Sequence, residues 1–82
     1  MTRKISTSAP LSSEDWVYLN LGERVLIERP GRFPSTGWID DINEEATVFW
    51  VYLDPGYERI LIHRDDGSVI RRILWAEMQG AP

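Results

Sequence analysis

Few side chains of this sequence could take part in catalysis. His63 is the single histidine, and Asp65 and Asp66 follow it closely. A histidine that contacts a carboxylate can act as a general base. The "DDG" stretch, however, has the composition of a tight turn, in which aspartate and glycine supply the backbone geometry. We therefore interpret His63 as a surface or interface residue, with acid–base chemistry as the alternative, and assign no catalytic residue.

Oxygen ligands are concentrated in the segment "DDINEE", from Asp40 to Glu45. The segment lacks the spacing and the central glycine of a calcium loop. One histidine and no cysteine also argue against a transition-metal site. Paired carboxylates can hydrolyse glycosides, but only in a cleft that a very small domain does not obviously build. The segment is therefore predicted to be a solvated turn, and we expect no metal and no cofactor.

Basic side chains cluster late in the sequence, at Arg59, Arg64, Arg71 and Arg72, with Arg32 in an earlier loop. Ion pairs with the chain's own carboxylates are the favoured interpretation, and contact with an anion or a nucleic acid is the alternative. After residue 10 the chain has seven basic and 13 acidic residues. An acidic surface opposes binding to a nucleic-acid backbone. Nucleic acid is therefore the less favoured partner.

The composition is that of one small globular domain. The 82 residues are 43% hydrophobic and include no cysteine, which favours a reducing, cytoplasmic setting. A core of this size stabilises a fold by only about 3–5 kcal/mol unless it is supplemented, for instance by oligomerisation. No apolar run is long enough to cross a membrane, and no secretory signal is recognised. We expect a flexible tail over residues 1–10 and a single domain over residues 11–82.

Turn signals divide the chain into short apolar segments. A helix or irregular segment is expected near Ser12, with Leu11, Trp16 and Leu19 on one stripe. The stretch "WAEMQG", residues 75–80, resembles a closing helical turn. Alternating and turn patterns between them predict five strands, over residues 22–29, 37–43, 46–53, 58–64 and 68–74. The expected fold is all-β, a small barrel.

The stretch "LGERVLIERPGRFPSTGWIDDINEEATVFWVYLDPG" resembles an SH3-like small barrel of the Tudor and KOW types. The resemblance is carried by "GERVLI", by the spacing of Gly37, Ile39 and Ile42 after a loop, and by a strand that ends in "LDPG". It extends over residues 21–74. It implies a five-stranded barrel and a role as an adaptor or binding module, although a fold alone does not establish a function.

The plasmid-type dihydrofolate reductases are also similar, because they are short chains with an SH3-like barrel. Their late strand carries the sequence "VQIY", whereas this chain has "SVIRRILW" from Ser68 to Trp75. The glutamine and the tyrosine are missing, so this activity is not transferred. The similarity leaves open an enzyme whose site forms only in an oligomer.

The third predicted strand is apolar on both faces. Side chains alternate along a strand, so Phe49, Val51 and Leu53 are predicted to face the core, whereas Val48, Trp50 and Tyr52 face outward. The inward set is predicted to include further aliphatic residues: Val25, Ile27, Ile39, Ile60 and Ile62. The predicted interaction face combines the outward residues of three strands: Trp38, Trp50, Tyr52, Arg59, Leu61 and His63. The apolar area of three outward-facing aromatic side chains exceeds the area that a soluble monomer usually exposes in one patch.

Three explanations for this outward face stay open. In the first, the chain covers the face itself with Leu11, Trp16 and Leu19 or with Trp75 and Met78. In the second, another copy covers it, since a two-fold interface uses one patch twice. In the third, a ligand occupies it, for example a peptide, a methylated amine or a stacked base. We predict a non-enzymatic, cytoplasmic protein-interaction module that self-associates or binds a protein partner.

Overall fold

The computed structural model describes residues 5–54, 56 and 58–76. Six strands make up half of this part of the chain: β1 Ile5–Thr7, β2 Arg24–Glu28, β3 Ser35–Ile42, β4 Val48–Leu53, β5 Arg59–His63 and β6 Val69–Ala76. One 3₁₀ helix, Ser13–Tyr18, lies between β1 and β2. It begins where expected: the Ser12 N–H donates to Asp15 Oδ2 at 3.3 Å, which satisfies an amide at the helix start. No helix within the described ranges is long and apolar enough to cross a membrane.

The strands form one antiparallel sheet in the order β1-β6-β2-β3-β4-β5. The sequence predicted five strands and a closed barrel, but the sheet has six strands and is open, with β1 and β5 at its edges. The additional strand, β1, lies in the segment predicted to be a flexible tail. It pairs with β6, and Ser8 and Leu11 continue this contact through N–H bonds to the carbonyls of Arg72 and Ile70 at 2.9 and 2.8 Å.

The predicted C-terminal helical turn is not seen. Trp75 and Ala76 belong to β6, where they pair with Ser6 and Ile5. The rest of the predicted turn, residues 77–80, and Met78 with it, lies outside the described residues. The pairing with β1 explains the difference, because each strand satisfies the backbone hydrogen-bonding groups of the other.

The predicted alternation of β4 is confirmed. Its burial alternates residue by residue, and Phe49, Val51 and Leu53 are buried while the residues between them are half-buried. The other residues predicted to face the core are buried as well: Val25, Ile27, Ile39, Ile60 and Ile62. One side of the sheet therefore forms the core, and the side chains of the opposite parity form its outer side.

The segment before the sheet covers the core side. Trp16 and Leu19 are 3% and 5% exposed and belong to the same cluster as Phe49. The Trp16 ring meets the Phe49 ring edge-on, with centroids 4.7 Å apart. The explanation that Leu11, Trp16 and Leu19 cover the outward aromatic face is therefore wrong. An open sheet does not cover its own apolar inner face completely, and Trp16 and Leu19 pack against that face instead.

Gly37 permits the close approach of β3 and β4. A Cβ atom at this position would lie 2.2 Å from the carbonyl oxygen of Tyr52. Gly37 pairs with Leu53, so the contact sits at the start of the β3–β4 ladder. The missing side chain is what lets Trp38 and Tyr52, the next pair along, lie side by side on the outer side of the sheet.

Candidate functional site

The outer side of the sheet carries one continuous row of four side chains across four strands. Arg24 on β2 pairs with Trp38 on β3, Trp38 pairs with Tyr52 on β4, and Tyr52 pairs with Arg59 on β5. Directly opposed side chains on one face of an antiparallel sheet touch. The register therefore produces an arginine at each end of an aromatic pair. We call this row, together with Trp50 and Leu61, the outer aromatic face.

The first half of this face is the Trp38–Tyr52 pair. Their ring centroids are 5.9 Å apart and the ring planes are inclined by 32°. The Arg24 guanidinium carbon lies 5.9 Å from the centroid of the Trp38 ring, and Arg24 forms an ion pair with Asp54. Thr36 donates its hydroxyl to the same carboxylate at 3.3 Å. Asp54 thus holds the arginine in place at the edge of the aromatic pair.

The second half is built around Trp50. The Arg59 guanidinium carbon lies 4.2 Å from the centroid of the Trp50 ring, and Arg59 Nε donates to Asp40 Oδ2 at 2.9 Å. The register of β3 shifts between Ile39 and Asp41, which leaves Asp40 as an additional residue in that strand. A β-bulge re-aims side chains. The bulge in β3 accompanies the contact between Asp40 and Arg59, which lies two strands away on β5.

Leu61 and His63 complete the predicted set of six residues. Leu61 pairs with Trp50 and is 49% exposed, so it extends the outer aromatic face toward the sheet edge. His63 pairs with Val48 at the far end of β5. The structure thus brings five of the predicted residues together, whereas His63 lies at the far end of β5, two residues beyond Leu61.

His63 belongs to the turn that follows β5. Its Nδ1 accepts a hydrogen bond from the Asp65 N–H at 3.0 Å, and its own N–H donates to Asp66 Oδ2 at 3.0 Å. Burial raises the pKa of Asp66, but hydrogen bonds from the His63 N–H and from Ser68, with the charge of His63, outweigh it and lower that pKa below its usual value. The Asp66 carboxylate therefore binds the turn backbone, and the Asp65 carboxylate contacts Arg64, so that neither is paired with the imidazole as in a catalytic pair.

The acidic segment between β3 and β4 also has turn chemistry. Asn43 Oδ1 accepts the N–H groups of Thr47 and Val48, both at 2.9 Å, and Asn43 Nδ2 donates to the Thr47 hydroxyl. Asp41, Glu44 and Glu45 are exposed. No group of three potential metal ligands occurs among the residues that the structure describes.

The late arginines are engaged in ion pairs, as the favoured interpretation predicted. Arg71 Nε lies 2.8 Å from Glu28 Oε1, and Arg72 Nε lies 2.7 Å from Glu23 Oε2. Arg59 binds Asp40, and Arg64 has a longer contact of 3.8 Å to Asp65. The arginine cluster that a nucleic-acid contact would use is therefore largely compensated by carboxylates.

The sequence did not predict Arg24 as part of the face, nor Asp40 and Asp54 as the carboxylates that bind its two arginines. Alternation could have identified Arg24, because it precedes the buried Val25 and must face outward. No sequence signal marks the bulge that accompanies the Asp40 contact. Phe33, in the loop before β3, is 92% exposed.

Comparisons with protein-family models, with curated proteins and with solved structures find no match for this chain.

Proposed function

We propose that this chain is a small, non-enzymatic cytoplasmic protein-interaction module that self-associates through the outer aromatic face. One observation carries the proposal: Trp38, Trp50 and Tyr52 are half-buried on the outer side of the sheet, where Arg24 lies near the Trp38 ring and Arg59 lies over the Trp50 ring. No cofactor is required for such a role.

The composition of the face favours a protein partner. Tryptophan, tyrosine and arginine are the residue types that most often anchor protein interfaces. An arginine held over an aromatic ring interacts more strongly with that ring when water is removed. Covering the face with a second protein would therefore bury apolar surface and strengthen the Arg59–Trp50 contact together.

A second copy is the favoured partner, because a face on one side of a sheet can be used twice in a two-fold interface. A fold of 82 residues also gains from the apolar area that such an interface removes from water. The nucleic-acid alternative draws no support from Arg64, Arg71 and Arg72, since each lies near a carboxylate.

We also propose a rolled, SH3-like arrangement for β2–β6. The supporting observation is that β6 returns to pair with β2, which joins the first and last of the five predicted strands. The strands β2, β3, β4 and β5 form a meander, and β6 lies beside the first of them, an order that a small rolled barrel also uses.

Sedimentation equilibrium over a range from low to high micromolar concentration tests the proposed self-association. We expect the mean mass to rise toward that of a dimer, and Trp50→Ala to shift the transition to higher concentration while the far-ultraviolet spectrum is unchanged. Phe33→Ala is the matched control, because it removes an exposed aromatic ring outside the face. A monomeric mass at every concentration would contradict the proposal.

A further inference from the structure

The backbone hydrogen bonds at the ends of β5 show which of its residues point away from the sheet. Leu53 N–H donates to the Glu58 carbonyl, and Arg64 N–H donates to the Thr47 carbonyl, both at 2.8 Å. In an antiparallel ladder every second residue bonds to the neighbouring strand. The intervening residues that bond to β4 are therefore Ile60 and Ile62, and Arg59, Leu61 and His63 direct their N–H and C=O groups outward.

His63 uses its outward groups in the following turn. Its N–H donates to Asp66 Oδ2 at 3.0 Å, and its carbonyl accepts the Asp66 N–H at 3.1 Å. No strand within the described part of the chain pairs with the outer edge of β5. The backbone groups of Arg59 and Leu61 are thus the ones presented for pairing.

The two edges of the sheet differ in how well they are protected. β1 has three residues and an irregular register between Ser6 and Thr7, and short or bulged edges discourage further pairing. β5 has five residues in regular register, with the half-exposed Leu61 at its centre. The charge that could protect this edge belongs to Arg59, whose side chain turns back over Trp50 toward Asp40.

We propose that the outer edge of β5 pairs with the β5 edge of a second copy, antiparallel and about a two-fold axis at Ile60. This inference rests on the proposed self-association and places its contact at the β5 border of the outer aromatic face, where Arg59 and Leu61 lie. In this register Arg59 lies opposite the partner's Leu61, and each pair exchanges two hydrogen bonds between the outward groups identified above. The pairing uses the groups of Arg59 and Leu61 and spares His63, whose hydrogen bonds in the turn are preserved.

The charged residues on either side of β5 also favour a second copy as the partner. Glu58 and Arg64 flank β5 and, by alternation, share the face of Ile60 and Ile62. Glu58 has no ion pair among the described residues, and Arg64 has only the contact of 3.8 Å to Asp65. With the axis at Ile60, Glu58 is diagonal to the partner's Arg64, a separation that long side chains can bridge. The two-fold axis generates this complementary pair twice.

Edge pairing also extends the outer aromatic face across both copies. The partner's Leu61 would lie opposite Arg59, whose guanidinium covers Trp50. The side-chain contact between Arg59 and the partner's Leu61 and the backbone hydrogen bonds therefore both occur along the β5 edge. A peptide of unrelated sequence would not reproduce this combination. A second copy meets both requirements without any further partner.

Amide hydrogen exchange tests the geometry directly. In the monomer, the amides of Ile60 and Ile62 should be protected by β4, whereas those of Arg59 and Leu61 should exchange rapidly. At concentrations where the dimer dominates, we expect the Arg59 and Leu61 amides to slow by about tenfold or more. A dimer in which these two amides still exchange rapidly overturns edge pairing but leaves the proposed self-association standing. A strict monomer overturns both.

Charge reversal provides an independent test. Glu58→Arg and Arg64→Glu each replace the two attractive diagonal contacts with repulsive ones, and we expect each variant to dimerise about tenfold more weakly than the parent. An equimolar mixture should restore dimerisation, because in the heterodimer both diagonal pairs are again of opposite charge. Glu45→Arg, an exposed acid in the turn before β4, is the control and should dimerise like the parent. Failure of the mixture to recover dimerisation would contradict the register.

Discussion

Arg59 stacks on Trp50 and binds Asp40 at the same time. Its guanidinium carbon lies 4.2 Å from the centroid of the indole ring, and its Nε donates to Asp40 Oδ2 at 2.9 Å. The arginine begins at the edge of the sheet and crosses β4 to reach β3. One side chain therefore covers an outward tryptophan, ties three strands together and leaves the backbone edge of β5 accessible.

Arg59→Ala should lower the free energy of unfolding by about 1 kcal/mol. The ring contact contributes about 0.5–1 kcal/mol. The Arg59 and Asp40 side chains are 38% and 35% exposed, so solvent screening limits their ion pair to a few tenths of a kcal/mol. A double-mutant cycle with Asp40→Asn in urea measures the coupling. A coupling indistinguishable from zero would show that the ion pair contributes nothing in solution.

In the Trp16→Ala variant, most of the molecules should be unfolded. Trp16 is 3% exposed and packs edge-on against Phe49, and truncating a buried aromatic residue costs about 3–5 kcal/mol. Trp16→Phe should be much milder, because it retains a ring and removes an indole Nε1 that has no hydrogen-bond partner among the described residues. Thermal unfolding of both variants distinguishes them.

Trp50→Ala is the matched comparison for Trp16. Trp50 lies on the outer side of the sheet, so its removal should leave the fold intact, at a cost below about 1.5 kcal/mol, and weaken self-association. If Trp50→Ala destabilises the fold as strongly as Trp16→Ala, then the assignment of the two faces is wrong.

Gly37→Ala should destabilise the fold by about 2 kcal/mol or more. The added Cβ would lie 2.2 Å from the Tyr52 carbonyl oxygen, and backbone atoms cannot move aside cheaply. Ser35→Ala, in the same strand, is the control and should change the unfolding free energy by less than about 0.5 kcal/mol. Equal effects for the two variants would mean that β3 and β4 are farther apart than described.

Acid should remove a stabilising contribution of Asp66. Its pKa is lowered in the folded state because hydrogen bonds to the carboxylate outweigh the effect of burial. The contribution is therefore complete above the unfolded-state pKa, about 3.9, and is lost as the pH falls through the lower pKa of the folded state. Urea unfolding between about pH 2 and pH 6 should show this loss in the parent.

Asp66→Asn should remove this part of the pH dependence, because an amide does not titrate. Asp65→Asn is the control: its carboxylate is 75% exposed and, among the residues that the structure describes, its only ion pair is the longer contact to Arg64, so it should change the unfolding free energy at neutral pH by less than about 0.5 kcal/mol. If the parent and Asp66→Asn lose stability in parallel as the pH falls, then the carboxylate does not stabilise the turn.

Several features of this protein follow from local sequence alone. The alternation in "VFWVYL" is sufficient to place Phe49, Val51 and Leu53 in the core, because a strand directs neighbouring side chains to opposite faces. The "DDG" turn was predictable for a similar reason, since aspartate and glycine satisfy local backbone geometry. Both inferences depend on interactions within a few residues.

The remaining features depend on contacts between residues distant in sequence. β1 is too short to be recognised by its pattern and forms because β6 offers it backbone partners. Trp16 carries no mark that assigns it to the inner side of the sheet, and packing against Phe49 decides this. The contact between Arg59 and Asp40 requires the register of three strands and accompanies a bulge in one of them. Residue types and their alternation therefore determined which faces exist, whereas long-range pairing set the strand register, placed Trp16 on the inner side and left the edge of β5 open.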